Sequence, residues 1–311
     1  MTLGVADNWT LSPSSVTHPL CGQGACNMST TRVVSLADVR LGFIGAGVMA
    51  ESMIAGLLVK GIVGPDQIVA SHPRPDRRLK ISERFGVTAV EENRAAAARS
   101  ELVFLTIKPQ VLAAVMGELK GTLTSNQVVI SILAGASLDT LRRGLKHSGI
   151  IRVMPNTPAQ IGQGMSVWCG THDVSDERRI QVKTALAALG QEIEVDTEKY
   201  VDMATALSGT GPTYVFMMME ALIDAGVHMG FPRRLAEEIV LQTVSGSVDF
   251  ARHSGKHMAE LRNMVTSPGG TSAAAIYQME KGGLRTVLSK AAFAAYQRTQ
   301  TLSTEQEERI D

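Results

Sequence analysis

Residues 39–50 read Val-Arg-Leu-Gly-Phe-Ile-Gly-Ala-Gly-Val-Met-Ala, and this stretch decides the fold. An apolar run typical of a buried strand leads into a glycine turn, and a helical pattern over residues 51–60 follows. Gly45 permits the tight turn, Gly47 lets the backbone approach a ligand, and Ala50 keeps helix and strand close together. The first amides of the new helix would then attract an anion. Glycines also end strands for structural reasons alone, but the flanking strand and helix favour a dinucleotide-binding turn.

The second predicted strand, residues 67–71, ends in Ser-His-Pro-Arg-Pro-Asp-Arg-Arg (71–78). Proteins that prefer NAD place a carboxylate here for the ribose hydroxyls. In this chain arginines take that place, and a guanidinium suits a phosphate dianion. Arg74, close to His72 in the sequence, therefore predicts NADPH as the cofactor. Asp76 keeps NADH open because it could take the acidic role, and a solvated basic turn is the structural alternative.

Further strands are predicted at residues 102–107, 128–133, 150–154 and 165–168, with helices such as 79–85 and 138–145 between several of them. This alternation predicts a doubly wound, mostly parallel sheet, whose ligands lie beyond the carboxyl ends of the strands. Thr106-Ile107-Lys108-Pro109 and Ser131-Ile132-Leu133-Ala134-Gly135 stand at two of these ends. We expect both to line the cofactor groove. Lys108 could act as a catalytic acid, although a lysine that meets solvent or phosphates is the simpler interpretation.

Helical patterns dominate after Val195. Residues 213–229 are apolar and rich in Ala and Met, which predicts a helix buried on most faces, partly against a second subunit. Ser208-Gly209-Thr210-Gly211-Pro212 interrupts the helix before it. We therefore predict a flexible extension over residues 1–38, an NAD(P)-binding domain over 39–196, a helical substrate-binding and dimerisation domain over 197–303, and an acidic tail over 304–311.

The stretch Ser267-Pro268-Gly269-Gly270-Thr271-Ser272 precedes a predicted helix over residues 273–281. Proline stiffens the entry, the glycines open the backbone, and hydroxyls lie where a helix cap is expected. Free amides at such a helix start can bind a carboxylate, and Thr271 or Ser272 adds a hydroxyl. Ordinary helix capping is the alternative interpretation.

The charge balance favours a small-molecule substrate, because 30 basic and 30 acidic side chains among 311 residues give a formal net charge of +0. Such a chain is not expected to bind nucleic acid or an anionic membrane. Cys21, Cys26 and Cys169 show neither a disulfide framework nor metal-ligand spacing, and no apolar run is long enough to span a membrane. We expect a cytoplasmic protein without a metal. Residues 1–38 lack a secretory pattern, and a transit peptide is the alternative to a flexible extension.

Five motifs follow one another along the chain: Phe43-Ile44-Gly45-Ala46-Gly47-Val48-Met49-Ala50, Ile107-Lys108-Pro109, Met154-Pro155-Asn156-Thr157-Pro158, Ser208-Gly209-Thr210-Gly211-Pro212 and Ser267-Pro268-Gly269-Gly270-Thr271. In order and spacing this set resembles pyrroline-5-carboxylate reductase, over about residues 40–303. The resemblance implies reduction of 1-pyrroline-5-carboxylate to L-proline by NADPH or NADH, the last step of proline biosynthesis. It also implies a Rossmann domain followed by an all-helical dimerisation domain, with homodimers that can assemble into a decamer of five dimers.

Carried over by position, the resemblance implies a cofactor site of Ile44, Gly45, Ala46, Gly47, Val48, Met49, His72, Arg74, Asn93, Thr106, Ile107, Lys108, Pro109, Ser131, Ala134 and Gly135. The implied substrate site is Ser267, Pro268, Gly269, Gly270, Thr271 and Ser272, with the carboxylate on the backbone amides. Ser272, helped by Thr271, would be the catalytic hydroxyl at the ring nitrogen. Where this chain has Ser272 the family usually has threonine, and serine keeps the donor but loses the methyl group that fixes its rotamer.

Two other functions remain open from the sequence. A related NADP-dependent imine or β-hydroxyacid reductase would use an acid such as lysine early in the helical half, and residues 207–212 supply none. A non-catalytic NADP-binding sensor would not need the hydroxyls and glycines of residues 267–272.

Overall fold

The computed structural model of the protein describes residues 36–309. One eight-stranded sheet forms the centre of the first part of this chain. Its strands are β1 (Leu41–Ile44), β2 (Ile68–Ser71), β3 (Thr88–Val90), β4 (Leu102–Leu105), β5 (Val128–Ser131), β6 (Ile150–Met154), β7 (Gly164–Gly170) and β8 (Gly190–Glu194). The spatial order is β3-β2-β1-β4-β5-β6-β7-β8. All neighbours are parallel except β6 and β7. The predicted doubly wound, mostly parallel sheet is confirmed.

The helices are α1 (Val48–Val59), α2 (Pro75–Phe85), α3 (Asn93–Ala97), α4 (Leu112–Leu119), α5 (Leu138–Leu145), α6 (Asp176–Ala187), α7 (Glu198–Ala204), α8 (Gly211–His228), α9 (Arg233–Ser254), α10 (Met258–Met264), α11 (Thr271–Lys281) and α12 (Leu284–Glu308). A π-helical segment, Thr205–Gly209, joins α7 to α8. Helices cover both faces of the sheet: α1 and α6 pack on one face, and α4 and α5 pack on the other. Strands β1, β4 and β5 are buried at every position, as expected for parallel strands covered on both sides.

The chain reverses direction across the sheet between β1 and β4, because β2 and β3 lie on one side of β1 and all later strands on the other. In sheets of this type ligands bind beyond the carboxyl ends of the strands at such a switch point. The carboxyl ends of β1, β2, β4 and β5 are therefore the edge where a cofactor is expected. The stacked rings of Phe43 and Phe104, 5.0 Å apart, fill the core between β1 and β4.

The sequence did not predict β3 and β8, which are the two edge strands of the sheet. β3 has three residues, none of them buried, and β8 contains Gln191, Glu192 and Glu194. Short and polar strands lack the apolar run on which strand prediction depends.

The predicted break at residues 208–212 is instead a change of helical winding. The Thr210 N–H donates to the Thr205 carbonyl at 2.8 Å, five residues back, and the Tyr214 hydroxyl donates to the Ala206 carbonyl. Pro212 then lies in the first turn of α8, where its missing N–H needs no partner. Such π segments are rare and are often found at functional sites.

A buried ion pair fastens α7 to the sheet. Arg152 on β6 is 1% exposed, and its two terminal nitrogens lie 2.6 Å from Glu198 and 2.6 Å from Asp202. The two carboxylates are one helical turn apart, so one guanidinium can bind both. The pairing offsets the desolvation of the buried charge and fixes where the helical half begins relative to β6.

The helical half has almost no core of its own in one chain. Between residues 211 and 298 only Gly226 and Ala236 are buried, at the contact between α8 and α9. Phe216 and Met217 on α8 are 57% and 64% exposed. Within one chain α8 leaves most of its apolar side chains exposed, so its predicted burial on most faces depends on the second subunit that the prediction included.

The two ends of the described chain include parts of the predicted N-terminal extension and of the predicted acidic tail. Of residues 1–38 only 36–38 are described; there Leu36 is buried, and its carbonyl accepts a hydrogen bond from Gln67 Nε2 at 2.6 Å. Cys21 and Cys26 lie outside the described residues. At the other end α12 continues through residues 304–308 of the predicted acidic tail. No helix within residues 36–309 is long and apolar enough to cross a membrane.

Candidate active site

The glycine turn after β1 needs glycine at position 45. Gly45 has φ of +98°, and an added Cβ would lie 2.8 Å from Cγ2 of Ile107. The N–H groups of Gly45 and Ala46 both donate to the Ser71 carbonyl, at 3.1 and 2.9 Å. The turn is thus clamped between the ends of β2 and β4, and a side chain at position 45 would open it.

Gly47 is different, because nothing within residues 36–309 requires glycine there. Its φ of −94° and ψ of −174° suit any residue, and the nearest atom to an added Cβ is the Thr106 carbonyl oxygen at 4.0 Å. Gly47 is the N-cap of α1 and offers no side chain to the first amides of that helix. Free amides beside an unobstructed backbone fit a pyrophosphate, so the residues present suit a dinucleotide.

Thr106 and Lys108 at the end of β4 have different surroundings. The Thr106 hydroxyl is buried and donates to the carbonyls of Ile44 and Gly45 at 3.1 and 2.8 Å, so it supports the glycine turn. The Lys108 side chain is exposed, which favours the simpler interpretation of a lysine that meets solvent or phosphates. Ile107 is half-buried against Gly45.

A cavity of about 600 Å³ opens at the same edge and is bounded by Gly45, Ser71, Asn93, Ile107 and Glu118, among others. The Ser71 hydroxyl donates to Asn93 Oδ1 at 2.8 Å, and Asn93 Nδ2 donates to Glu118 at 2.7 Å. The size and the polar wall suit the nucleoside part of a cofactor. Glu118 was missed by sequence reasoning, since an acidic residue on α4 has no distinguishing local pattern.

Arg74 is held by an acidic neighbour. Its Nε and a terminal nitrogen lie 3.0 and 2.5 Å from the two oxygens of Asp76, and both side chains are exposed. The hydrogen bond with Arg74 lowers the pKa of Asp76, and the same bond raises the pKa of Arg74. The pair uses Nε and one terminal nitrogen of Arg74, and the other terminal nitrogen of this exposed guanidinium keeps its donors for a phosphate.

His72 lies beside this pair. Burial, and after it the charges of Arg77 and Arg74, lower the pKa of His72, so the neutral ring is favoured. The ring accepts a hydrogen bond from the Arg74 N–H at 3.1 Å.

The end of β5 packs against the last helix. Ser131 is buried and accepts a hydrogen bond from the Leu133 N–H, while Ala134 is half-buried. Gly135 has φ of +77°, and an added Cβ would lie 2.9 Å from the carbonyl carbon of Leu302. Glycine is therefore required at 135 by packing, a reason that the local sequence does not reveal.

The predicted substrate loop forms a tight turn before α11. The Gly270 N–H donates to the Ser267 carbonyl at 3.0 Å, with Pro268 and Gly269 between them and φ of +70° at Gly269. This is the sequence that such a turn requires. Residues 267–269 and Thr271 are exposed in one chain, and Ser272 is half-buried.

Ordinary helix capping does not account for the hydroxyls of this loop. The N-cap of α11 is Gly270, and Thr271 and Ser272 are the first two helical residues, past the capping position. The first amides of α11 therefore lack a side-chain cap and can receive a carboxylate.

Comparison with known proteins identifies the family. Residues 198–302 match the model for pyrroline-5-carboxylate reductase dimerisation, and residues 40–135 match the model for NADP oxidoreductase, coenzyme F420-dependent. A curated pyrroline-5-carboxylate reductase from Synechocystis sp. is 40% identical over 85% of this chain and 98% of that protein. One from Pisum sativum is 40% identical over 85% of this chain and 96% of that protein. The chain belongs to the pyrroline-5-carboxylate reductase family.

Solved members of the family share the whole described fold. The Coxiella burnetii pyrroline-5-carboxylate reductase is 34% identical, with a TM-score of 0.79 over 85% of this chain and 98% of that one. The Plasmodium falciparum pyrroline carboxylate reductase with NADP bound is 29% identical, with a TM-score of 0.78 over 86% and 98%. The family resemblance expected from the five motifs is thereby confirmed, and the chain is an NAD(P)H-dependent oxidoreductase that forms homo-oligomers.

Within this pyrroline-5-carboxylate reductase fold, the predicted cofactor residues gather at the carboxyl ends of β1, β2, β4 and β5. The predicted substrate loop stands apart on the helical half, at the start of α11. The side chain of Asn156, from the Pro-Asn-Thr-Pro motif, accepts from the Met165 N–H at 2.9 Å and donates to Ser208 at 3.2 Å. Asn156 thus ties the loop after β6 to the π-helical segment. The roles of the individual cofactor and substrate residues stay predictions.

Cys169 is a free cysteine with a buried side chain on β7. Burial, and after it the charge of Glu198, raise the pKa of Cys169 to about 12, so its thiolate is not available as a nucleophile. No group of His, Cys, Asp and Glu side chains within residues 36–309 has the arrangement of a metal site.

Proposed function

We propose that this protein reduces 1-pyrroline-5-carboxylate to L-proline with a hydride from NADPH, the last step of proline biosynthesis. The proposal rests on one observation: in this member of the family, two helices begin without a side-chain cap. These are α1, which begins beside Gly47, and α11, which begins beside Gly270. One helix start suits a pyrophosphate and the other a carboxylate.

The start of α11 would bind the substrate carboxylate. Gly269 in its left-handed conformation completes the turn before α11, and the positive end of the α11 dipole would attract the carboxylate to the uncapped amides there. Because the backbone makes these contacts, a carboxylate is recognised without a cationic side chain. Ser267, Pro268 and Gly270 shape the turn.

The Ser272 hydroxyl would hydrogen-bond the ring nitrogen, with Thr271 or water completing a path for protons. A serine hydroxyl is a weak acid, so its role is to orient the ring and relay a proton rather than to protonate the imine alone. Protonation of the nitrogen makes the C=N carbon a better hydride acceptor, and after transfer the nitrogen is the amine of proline.

The glycine turn, the loop after β4 and the end of β5 would hold the cofactor. When bound, NADPH supplies the hydride, and NADH is the slower alternative. The amides of α1 would bind the pyrophosphate, and the guanidinium of Arg74 would bind the 2′-phosphate. The protein's own contribution is to bring the two reactants together in the right orientation.

A homodimer through the helical half would complete the site, and five such dimers would form a decamer. Among residues 36–309, apolar side chains such as Phe216 and Met217 are more than half exposed, and most of the substrate loop is exposed as well. A second copy that covers α8 and α9 would bury these apolar side chains, and one that also covers the start of α11 would exclude water from the cleft.

We also propose a cytoplasmic location for the enzyme. Cys169 is a free cysteine, buried beside the Arg152 ion pair. An unpaired structural thiol is typical of a protein that works in a reducing compartment.

The direct test mixes purified protein with NADPH and 1-pyrroline-5-carboxylate and follows the loss of nicotinamide absorbance. We expect oxidation that depends on the substrate and is faster with NADPH than with NADH. NADPH that binds but is never oxidised when the imine is added would overturn the proposal and favour a sensor.

Replacing Ser272 tests the hydroxyl. Ser272→Ala should lower kcat about tenfold without abolishing activity, because one orienting hydrogen bond is lost. Ser272→Thr is the matched control, since it restores the donor and should turn over at close to the parent rate. Steady-state kinetics measure both, and an alanine variant as fast as the parent would remove Ser272 from the mechanism.

Replacing Arg74 tests cofactor choice. Arg74→Ala should raise the KM for NADPH about tenfold and leave the KM for NADH nearly unchanged, because only NADPH carries the 2′-phosphate. Asp76→Asn should lower the KM for NADPH, because it releases the Arg74 guanidinium and removes a negative charge that repels the 2′-phosphate. Equal losses with both cofactors in Arg74→Ala would contradict the phosphate assignment.

A further inference from the structure

The last two turns of α12 touch two of the loops at the cofactor edge. The backbone of Leu302 lies against Gly135 after β5, close enough that a Cβ on that glycine would collide with it. One turn further on, Gln306 is 4% exposed, and its Nε2 donates to the carbonyl of Pro109 after β4 at 3.4 Å. Residues 303–308 lie beyond the part of the chain that matches the dimerisation model, which ends at 302.

Glu307 extends this contact to the start of α5. Ser137 is the N-cap of α5; its Oγ accepts from the Thr140 N–H at 3.1 Å and lies 3.3 Å from Glu307 Oε1. Glu198 from α7 accepts from the Leu138 N–H at 2.8 Å. Two carboxylates from the helical half therefore meet the amino end of α5, where the helix dipole favours negative charge.

These contacts restrain the backbone on which cofactor binding depends. Leu302 and Glu307 contact the loop 132–137 after β5. Gln306 contacts the loop 106–111 after β4. Both loops follow central strands: β4 borders the switch point of the sheet, and β5 is its next neighbour. A loop that is already ordered loses less conformational entropy when a ligand binds to it.

We propose that Gln306 and Glu307 are positioning residues that hold the loops after β4 and β5 in the conformation that binds the nicotinamide dinucleotide. The last turns of α12 then act as a strap from the helical half to the cofactor edge. The proposal rests on the proposed function for the identity of the dinucleotide. It requires no contact between the strap and the cofactor.

The test uses the full-length Gln306→Leu and Glu307→Ala variants, with Glu308→Ala as the matched control. Glu308 is the next residue of α12 and is exposed. Calorimetry without substrate measures the Kd for NADPH, and hydrogen exchange of the protein alone measures the protection of residues 132–137. We expect each strap variant to raise the Kd about fivefold and to speed exchange in that loop, with kcat nearly unchanged and the control like the parent.

Two results would overturn the proposal. One is a parental Kd and parental exchange in both strap variants. The other is faster exchange throughout the chain, which would mean that these residues stabilise the protein in general. A parent protein that binds NADPH without reducing 1-pyrroline-5-carboxylate would instead overturn the proposed function, and the strap measurement would still stand.

Discussion

The Met218→Glu/Leu222→Glu variant should be a monomer that no longer oxidises NADPH in the presence of 1-pyrroline-5-carboxylate. The two side chains are 47% and 49% exposed and lie one turn apart on the same face of α8. Burying unpaired carboxylates in an apolar interface should weaken the dimer by about 4 kcal/mol, or roughly a thousandfold. Light scattering and the oxidation assay at the same protein concentration measure both effects.

Val59→Glu is the matched control for this variant. Val59 is 87% exposed at the end of α1, so the same kind of substitution should leave both mass and activity at parental values. A dimeric, active double variant would show that this face of α8 is not the interface. An active monomer would show that one chain suffices for the reaction.

The Gly47→Ser variant should bind NADPH about a hundredfold more weakly while its Tm stays equal to or above that of the parent. A serine at the N-cap can accept hydrogen bonds from the first amides of α1, which stabilises the helix. The same side chain takes those amides from the pyrophosphate and fills the open space beside them. Loss of two charge-assisted hydrogen bonds is enough for the expected change in Kd.

Calorimetry measures the Kd of Gly47→Ser for NADPH, and a thermal melt measures its Tm. Gly61→Ala is the control. Gly61 has φ of +63° and no atom within 4 Å of an added Cβ, so its substitution introduces backbone strain away from the cofactor edge. We expect this control to lower the Tm and keep the Kd. If Gly47→Ser lost stability and affinity together, Gly47 would be a structural glycine.

The features that could be predicted from the sequence are those fixed by neighbouring residues. The turn at Gly45 depends on a strand, a positive φ and a helix start within a dozen residues, and all of them leave a local pattern. The turn of residues 267–270 was predictable for the same reason, since Pro-Gly-Gly limits the backbone to few conformations. Apolar runs likewise revealed the central strands.

The features that could not be predicted depend on contacts between distant residues. Gly135 is predicted to bind the cofactor, and the structure adds a second reason for glycine there, because an added Cβ would collide with Leu302, far along the chain. Arg152 is buried only because α7 brings Glu198 and Asp202 to it. Which apolar side chains of α8 one chain leaves exposed depends on how distant helices pack, and the sequence pattern of α8 alone does not show it.

Deuterium transfer tests the central claim most directly. Purified protein is incubated with 1-pyrroline-5-carboxylate and NADPH that carries deuterium at the transferring position of the nicotinamide, and the product is analysed by mass spectrometry. The account predicts L-proline with a single deuterium on the ring carbon that was the C=N carbon of the substrate. Proline without deuterium, or oxidised cofactor without proline, would contradict direct hydride transfer to this imine.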